Sequence, residues 1–327
     1  MRRVLAILLT VSLVLVGAAA ATAQPITLKW GHPFKTDFVF GISAQKIADL
    51  IKERTKGQVV VEVLPNSQVG GYFQCMASAA QGTLDMAWTD GGSVGRFYPP
   101  SGVTEGAYLF KTAKQLQNFW DGPTGQKLRQ GIYEEANLKA FSAFEYGTRQ
   151  LTNSKKAVRT PADMKGLRIR CLESKVSMTS ATAMGATPTP IDFAELYLAL
   201  QQGIVDGQEN PLPSIYSMKF YEVQKYLVLT SHLHQCLFPV MSRRSWEKLS
   251  PEQQKIITQV IDDVRPISDK MLNDLVAANL QAMKASGIEV IEPDVEAFRA
   301  QAVPIMLKAF EKEWYPGIYE EIKKTAF

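Results

Sequence analysis

The chain has 327 residues, 46% of them hydrophobic and 21% charged, with a net charge of +4. That length accommodates two packed lobes and excludes a small disulfide scaffold, while the composition excludes a disordered, collagen-like or low-complexity chain. The basic residues form no dense block, which argues against nucleic acid as a partner. Three cysteines, Cys75, Cys171 and Cys236, are too few and too scattered for a disulfide framework or a tetrahedral zinc site, and nothing in the chain calls for a cofactor or a bound metal.

The first 23 residues have the form of an export signal. Arg2 and Arg3 supply the positive start, 4–16 is apolar apart from Thr10 and Ser12, and Ala21-Thr22-Ala23 fits the small-x-small cleavage rule. Cleavage is expected after Ala23, by the general secretory route, because the arginine pair lacks the surroundings of a twin-arginine signal. The apolar core is short for a membrane span, and no later stretch approaches that length. A soluble periplasmic protein follows. In an oxidising compartment three cysteines leave at least one thiol free, and buried unpaired thiols are the simplest reading. Cys171 follows Arg170 on a predicted strand, so the two side chains point to opposite faces: with Arg170 toward a cleft, Cys171 turns into a core.

The mature chain opens with alternating units. A strand is predicted at 27–31, a helix at 41–56 with Gly57 as its stop, a strand through Val59, Val61 and Val63, a helix at 72–81 ended by Gly82, and a strand at 84–88. That alternation argues a largely parallel sheet. A second cycle has strands at 139–144 and 166–170, a helix at 176–184, a helix at 193–202 capped by Asp192 and Glu195, and a strand at 204–208. Residues 226–230 and 236–242 read as a strand pair around a 231–235 connection. A helix over 251–286 is interrupted by Pro266, which should kink it, and 295–324 is helical with breaks at Pro304 and Pro316. The runs Gln81-Gly82-Thr83-Leu84-Asp85 and Gln202-Gly203-Ile204-Val205-Asp206 share a helix end, a glycine, an apolar residue and an aspartate opening a strand, which suggests two similar lobes. In open α/β sheets ligands bind beyond the carboxyl ends of strands, here Trp88-Thr89-Asp90-Gly91 and Glu209-Asn210-Pro211.

The middle of the chain carries a specific set of words in order: MKGLRIR at 164–170, GATPTPIDFAELY at 185–197 and GIVDGQENP at 203–211. GTLD at 82–85, FYP at 97–99, GTRQLTN at 147–153, FYEVQKY at 220–226 and LSPE at 249–252 lie around it. The set resembles the periplasmic solute-binding receptors of tripartite ATP-independent (TRAP) transporters, the C4-dicarboxylate-binding-receptor family, over almost all of the mature chain. The resemblance implies an α/β, two-lobed periplasmic binding protein fold with a hinge and a long lobe-spanning helix. It implies a signal peptide over 1–23 and discontinuous lobes, 24–147 with 236–275 and 148–235 with 276–327. It further implies a monomer that captures a small organic acid between closing lobes and delivers it to small and large TRAP membrane subunits driven by an ion gradient.

Arg170 ends a predicted strand, and its planar fork matches a carboxylate with two parallel hydrogen bonds as lysine cannot. The resemblance implies that it clamps the ligand carboxylate. Asn210 is implied to contact the same carboxylate, though an asparagine before proline also suits a turn. Arg149 is similar to a second family arginine near the ligand, and it can instead pair with an acid at the hinge. Phe193 resembles an aromatic that packs on the ligand, and Asp90 sits where relatives place a polar or acidic side chain. Trp88, Phe34 and Tyr72 are candidate walls, each equally suited to a core. Around Gly31-His32-Pro33 and Gly71-Tyr72, and at Glu173, the chain departs from the sialic-acid branch, which suggests a smaller, aromatic-lined pocket for an acid with an apolar body.

Two rival readings stand beside this one. A ligand-sensing receptor that presents its solute to a membrane signalling protein would use the same closure. An enzyme could be imagined from His232 and His234, on one side of a strand, with Cys236 and Glu222 nearby; the absence of HExxH and GxSxG motifs argues against it.

Overall fold

A computed structural model describes residues 24–327, so the expected export signal lies outside the described residues. The chain opens with β1 (Ile26–Gly31), α1 (Val39–Arg54), β2 (Val59–Leu64), α2 (Tyr72–Gln81), β3 (Met86–Thr89) and the single turn α3 (Gly91–Val94). After a 3-10 turn come α4 (Ala113–Asp121), α5 (Pro123–Glu135), β4 (Leu138–Ala140), β5 (Phe144–Asn153), β6 (Arg168–Cys171), α6 (Lys175–Ala183), β7 (Thr187–Pro190), α7 (Leu196–Gln201) and β8 (Gly207–Pro211). The remainder is α8 (Leu212–Ser217), β9 (Tyr226–Ser242), α9 (Arg243–Trp246), α10 (Pro251–Ala285), β10 (Glu289–Ile291), α11 (Val295–Ala309) and α12 (Ile318–Lys324).

The strands form one mixed sheet in the order β2-β1-β3-β9-β5-β8-β6-β7, with β4 and β10 also on β9. β1–β2, β1–β3, β6–β7 and β6–β8 are parallel, as the βαβ alternation predicted. The expected strand pair at 226–242 is instead one 17-residue strand. Its first part pairs β10 and β5 and its end pairs β3 and β4, so a single strand serves both lobes. A connection could not have interrupted it: Leu233, Cys236, Leu237, Phe238 and Val240 are all buried and strand-forming. β5 bulges twice against it, next to Gly147, at φ +111, and again after Arg149.

The helix at 251–285 starts at a capping box, Ser250 with Gln253, and Pro251 occupies its first turn. It runs on through Pro266, which lies on the exposed face. At about 1.5 Å per residue it is roughly 50 Å long. Ile257, Val260, Ile261 and Val264 share a core with Ile47 and Ile51 of α1, while Met283 packs with Phe220 and Leu227. One rigid rod thus rests on both lobes. The break expected at Pro304 falls later, after Ala309. α11 packs on α6 through Phe298, Ala302 and Met306, and α12 returns to α4, where Gln115 Nε2 donates to the Ile322 carbonyl at 2.8 Å. Among the described residues no helix is long and apolar enough to cross a membrane.

The two lobes meet across the cleft. Lys35 Nζ donates to the Ser217 carbonyl at 2.8 Å, Arg96 lies 3.5 Å from the Glu173 carboxylate, and the rings of Phe34 and Phe193 are 6.4 Å apart. The structure is the closed form.

Candidate ligand-binding site

β6 and β8 lie side by side and parallel, with Arg170 opposite Gln208. Successive strand residues face opposite ways, so Arg170 and Asn210 share one face and Cys171 and Glu209 share the other. Each face looks into a cavity. The first is lined by Arg170, Asn210, Leu172, Leu237 and the rings of Phe34, Tyr72, Tyr146 and Phe193. The second is lined by Cys171, Glu209, Glu105, His232 and residues of α6. Asp90, Arg149, Leu172 and Gln235 border both.

Arg170 is fully buried. Its Nε donates to the Ile191 carbonyl at 2.8 Å, and both η nitrogens have no hydrogen-bond partner. The guanidinium carbon sits 6.0 Å from the centre of the Phe193 ring. Burial pulls its pKa down, against the opposing pull of Glu209. A buried cation with two free donors is costly unless an anion arrives.

Arg149 is in a different state. It pairs with both carboxylate oxygens of Glu209, and its Nη1 donates to Gln235 Oε1 at 2.6 Å. His232 Nε2 adds a contact to Glu209 at 3.1 Å. Burial would raise the Glu209 carboxyl, but Arg149 and His232 hold it at about 2. The fork of Arg149 is therefore satisfied within the chain, and that of Arg170 is free.

Asp90 caps α3, accepting from Ser93 N at 2.7 Å and Ser93 Oγ at 3.1 Å, and burial raises its carboxyl. The Tyr72 hydroxyl is buried without a partner, and burial followed by the charge of Asp90 pushes its pKa up. Phe34 is the centre of an aromatic cluster with Phe38, Phe40 and Tyr146 at 5.2–6.0 Å. Trp88 borders neither cavity. It lies in the core, edge-on to Phe40 and Phe144 at 5.0 Å, because β3 is buried on both faces. The structure thus brings seven of the eight residues singled out in the sequence to the first cavity and leaves Trp88 outside.

Sequence reasoning missed Tyr146, Leu172, Leu237 and Gln235. Three of them were signalled by alternation: Leu172 is two residues from Arg170, and Gln235 and Leu237 alternate along β9 once it is one strand. It also missed Glu105. Cys171 is buried on the face opposite Arg170, as expected, and there it also borders the second cavity beside Glu209. All three thiols are unpaired and buried, and burial raises Cys75 to about 11 and Cys171 to about 12.

The residues of the enzymatic reading have separate partners. His232 is bonded to Thr230 and Glu209, His234 to Thr148 Oγ1 at 2.9 Å, and Glu222 to Lys219 and Tyr197. Burial holds His234 near 4. Among the described residues no group of three or more His, Cys, Asp or Glu could hold a metal ion.

The family model described as bacterial extracellular solute-binding protein, family 7, matches residues 30–313. The sialic acid-binding periplasmic protein SiaP of Vibrio cholerae is 32% identical over 297 residues, 91% of this chain and 92% of that protein. Two solved TRAP periplasmic solute-binding proteins superpose closely. One, from Polaromonas sp. JS666 with bound D-erythronate, gives a TM-score of 0.87 at 33% identity, over 92% of this chain and 99% of that one. The other, from Desulfovibrio salexigens with bound orotic acid, gives 0.85 at 30% identity over 91% and 96%. These relatives are binding receptors rather than enzymes. The chain belongs to the bacterial extracellular solute-binding proteins of family 7, the receptors that capture small organic acids for TRAP transporters.

Proposed function

We propose that this receptor, exported by a signal cleaved after Ala23, works in the periplasm as a monomer and takes a small monocarboxylate with a compact apolar body. In this reading the lobes are 24–147 with 236–275 and 148–235 with 276–327, and the ligand passes to the small and large TRAP membrane subunits. The observation that carries it is the pair of unpartnered η nitrogens on fully buried Arg170, facing a cavity walled by Phe34, Tyr72, Tyr146 and Phe193. Two charge-assisted hydrogen bonds at about 1.5–3 kcal/mol each are a large part of the roughly 8 kcal/mol that micromolar binding needs. Asn210 sits beside Arg170 to complete the carboxylate seat, while Arg149 holds Glu209 and orders the floor between the cavities.

The cavity is small and walled mostly by aromatic rings. Its rings suit a flat or branched apolar body better than a chain of hydroxyls, which would lose water without finding partners. Orotic acid, bound by the relative from Desulfovibrio salexigens, is a small flat acid of this kind. A thermal-shift screen over monocarboxylates, dicarboxylates, aromatic acids and sugar acids tests the reading. Small apolar-bodied monocarboxylates should raise the melting temperature most, by mass action on the native state; a shift with sialic acid alone would overturn it.

A further inference from the structure

We infer that Glu105 reads a second, uncharged polar group at the far end of the ligand, a hydroxyl or carbonyl oxygen, so that the receptor prefers an acid carrying one and discriminates against dicarboxylates. This rests on Arg170 as the carboxylate clamp. The second cavity shares Asp90, Arg149, Leu172 and Gln235 with the first, and in this inference a ligand anchored at Arg170 reaches it past these side chains. Glu105 is 5% exposed and borders this cavity. Its Oε2 accepts from Gln235 Nε2 at 2.6 Å, and its Oε1 is buried with no partner.

The other polar groups of this wall are engaged. Arg149, Glu209 and His232 satisfy one another, and Asp90 is held by Ser93. Glu105 alone presents an unmet oxygen. Burial, then the neighbouring Asp90 charge, lifts its carboxyl well above the ordinary range. Burial thus favours the protonated form, which donates through its O–H and accepts through its carbonyl. A hydroxyl or carbonyl complements it. A second ligand carboxylate would bring another negative charge against Asp90 and Glu209, with the positive charge of Arg149 already committed. A plain methyl end would leave Oε1 unmet, the situation that gives polar sites their selectivity against analogues lacking the group.

Calorimetric titration with nine probes tests this: butanoate, pentanoate and hexanoate; their ω-hydroxy counterparts; and succinate, glutarate and adipate. The wild-type protein should bind the best-fitting ω-hydroxy acid about tenfold tighter than the alkanoate of equal length, and the diacid more weakly than either. In Glu105→Leu that preference should fall to within about twofold while alkanoate affinity is kept. Glu105→Gln, which retains a donor and an acceptor and guards against misfolding of the leucine variant, should keep part of it. The inference is overturned by equal affinity for both tails in the wild type, by diacid preference, or by a preference unchanged in Glu105→Leu. If those results coincide with a large loss in Arg170→Lys, the clamp survives and only the role of Glu105 falls. If the wild type binds none of the nine, the clamp reading falls and takes this inference with it.

Discussion

Replacing Arg170 with methionine should uncouple closure from ligand. Arg170 stands on β6, while Phe34 and Tyr72, which complete its cavity, come from the segments after β1 and at the start of α2. With the cleft shut the guanidinium is fully buried and its two η nitrogens have no protein partner. An orphaned buried donor costs about 1–3 kcal/mol, and more when charged. Without an anion that cost opposes closure; with one, two charge-assisted bonds replace it. Removing the charge therefore shifts the unliganded equilibrium toward the closed form by a factor of roughly 5–150. The same change removes both ligand bonds, about 3–6 kcal/mol, or more than a hundredfold in affinity. Arg170→Lys keeps the charge but loses the fork, about 2 kcal/mol and roughly thirtyfold. Small-angle scattering reads the first effect as a smaller radius of gyration for unliganded Arg170→Met than for unliganded wild type, and calorimetry reads the others. Scattering curves that coincide, together with unchanged affinity in Arg170→Lys, would refute the reasoning.

Two further perturbations probe closure and stability separately. Gly71 has ordinary backbone angles, but a Cβ there would lie 2.4 Å from Asp192 Oδ2 of the opposite lobe; Gly71→Ala should weaken binding about tenfold by calorimetry while the unliganded melting temperature stays within about 2 °C. His32 is fully buried, both ring nitrogens lack partners, and burial lowers it to about 4. Because that value lies below the unfolded 6.5, its stability contribution is present above pH 6.5 and is lost as pH falls toward 4, with a ceiling of about 3 kcal/mol; melting curves of His32→Leu should fall less steeply across that window, and an identical slope would count against the assignment.

Much of the architecture was legible locally. The helix at 72–81 ends where Gly82 adopts a left-handed φ of +75, and the valine run at 59–64 pairs in parallel with β1, as hydrophobic periodicity and a glycine stop announce. The errors share a cause, which is that tertiary pairing overrides local punctuation. The polar run Ser231–Gln235 looks like a connection, yet β5 pairs with residues on both sides of it and draws it into one strand. The long helix expected over 251–286 is, by contrast, present as one element, with packed turns before and after Pro266. Trp88 has the size and place of a cavity wall, and the burial of β3 on both faces put it elsewhere.

The site divides along the same line. Arg170 and Asn210 could be named from their places at strand ends, and the two-residue period already turned Cys171 to the opposite face. That Glu209 would absorb Arg149, 60 residues away, is a matter of β5 lying antiparallel to β8, which no local pattern states. This pairing separates the roles of the two arginines. Arg149 is neutralised by the chain itself, through Glu209. Arg170 is neutralised only by what enters the cleft. An anion is therefore the one class of guest that removes the electrostatic penalty of shutting, so selectivity for acids and the trigger for closure reside in the same side chain.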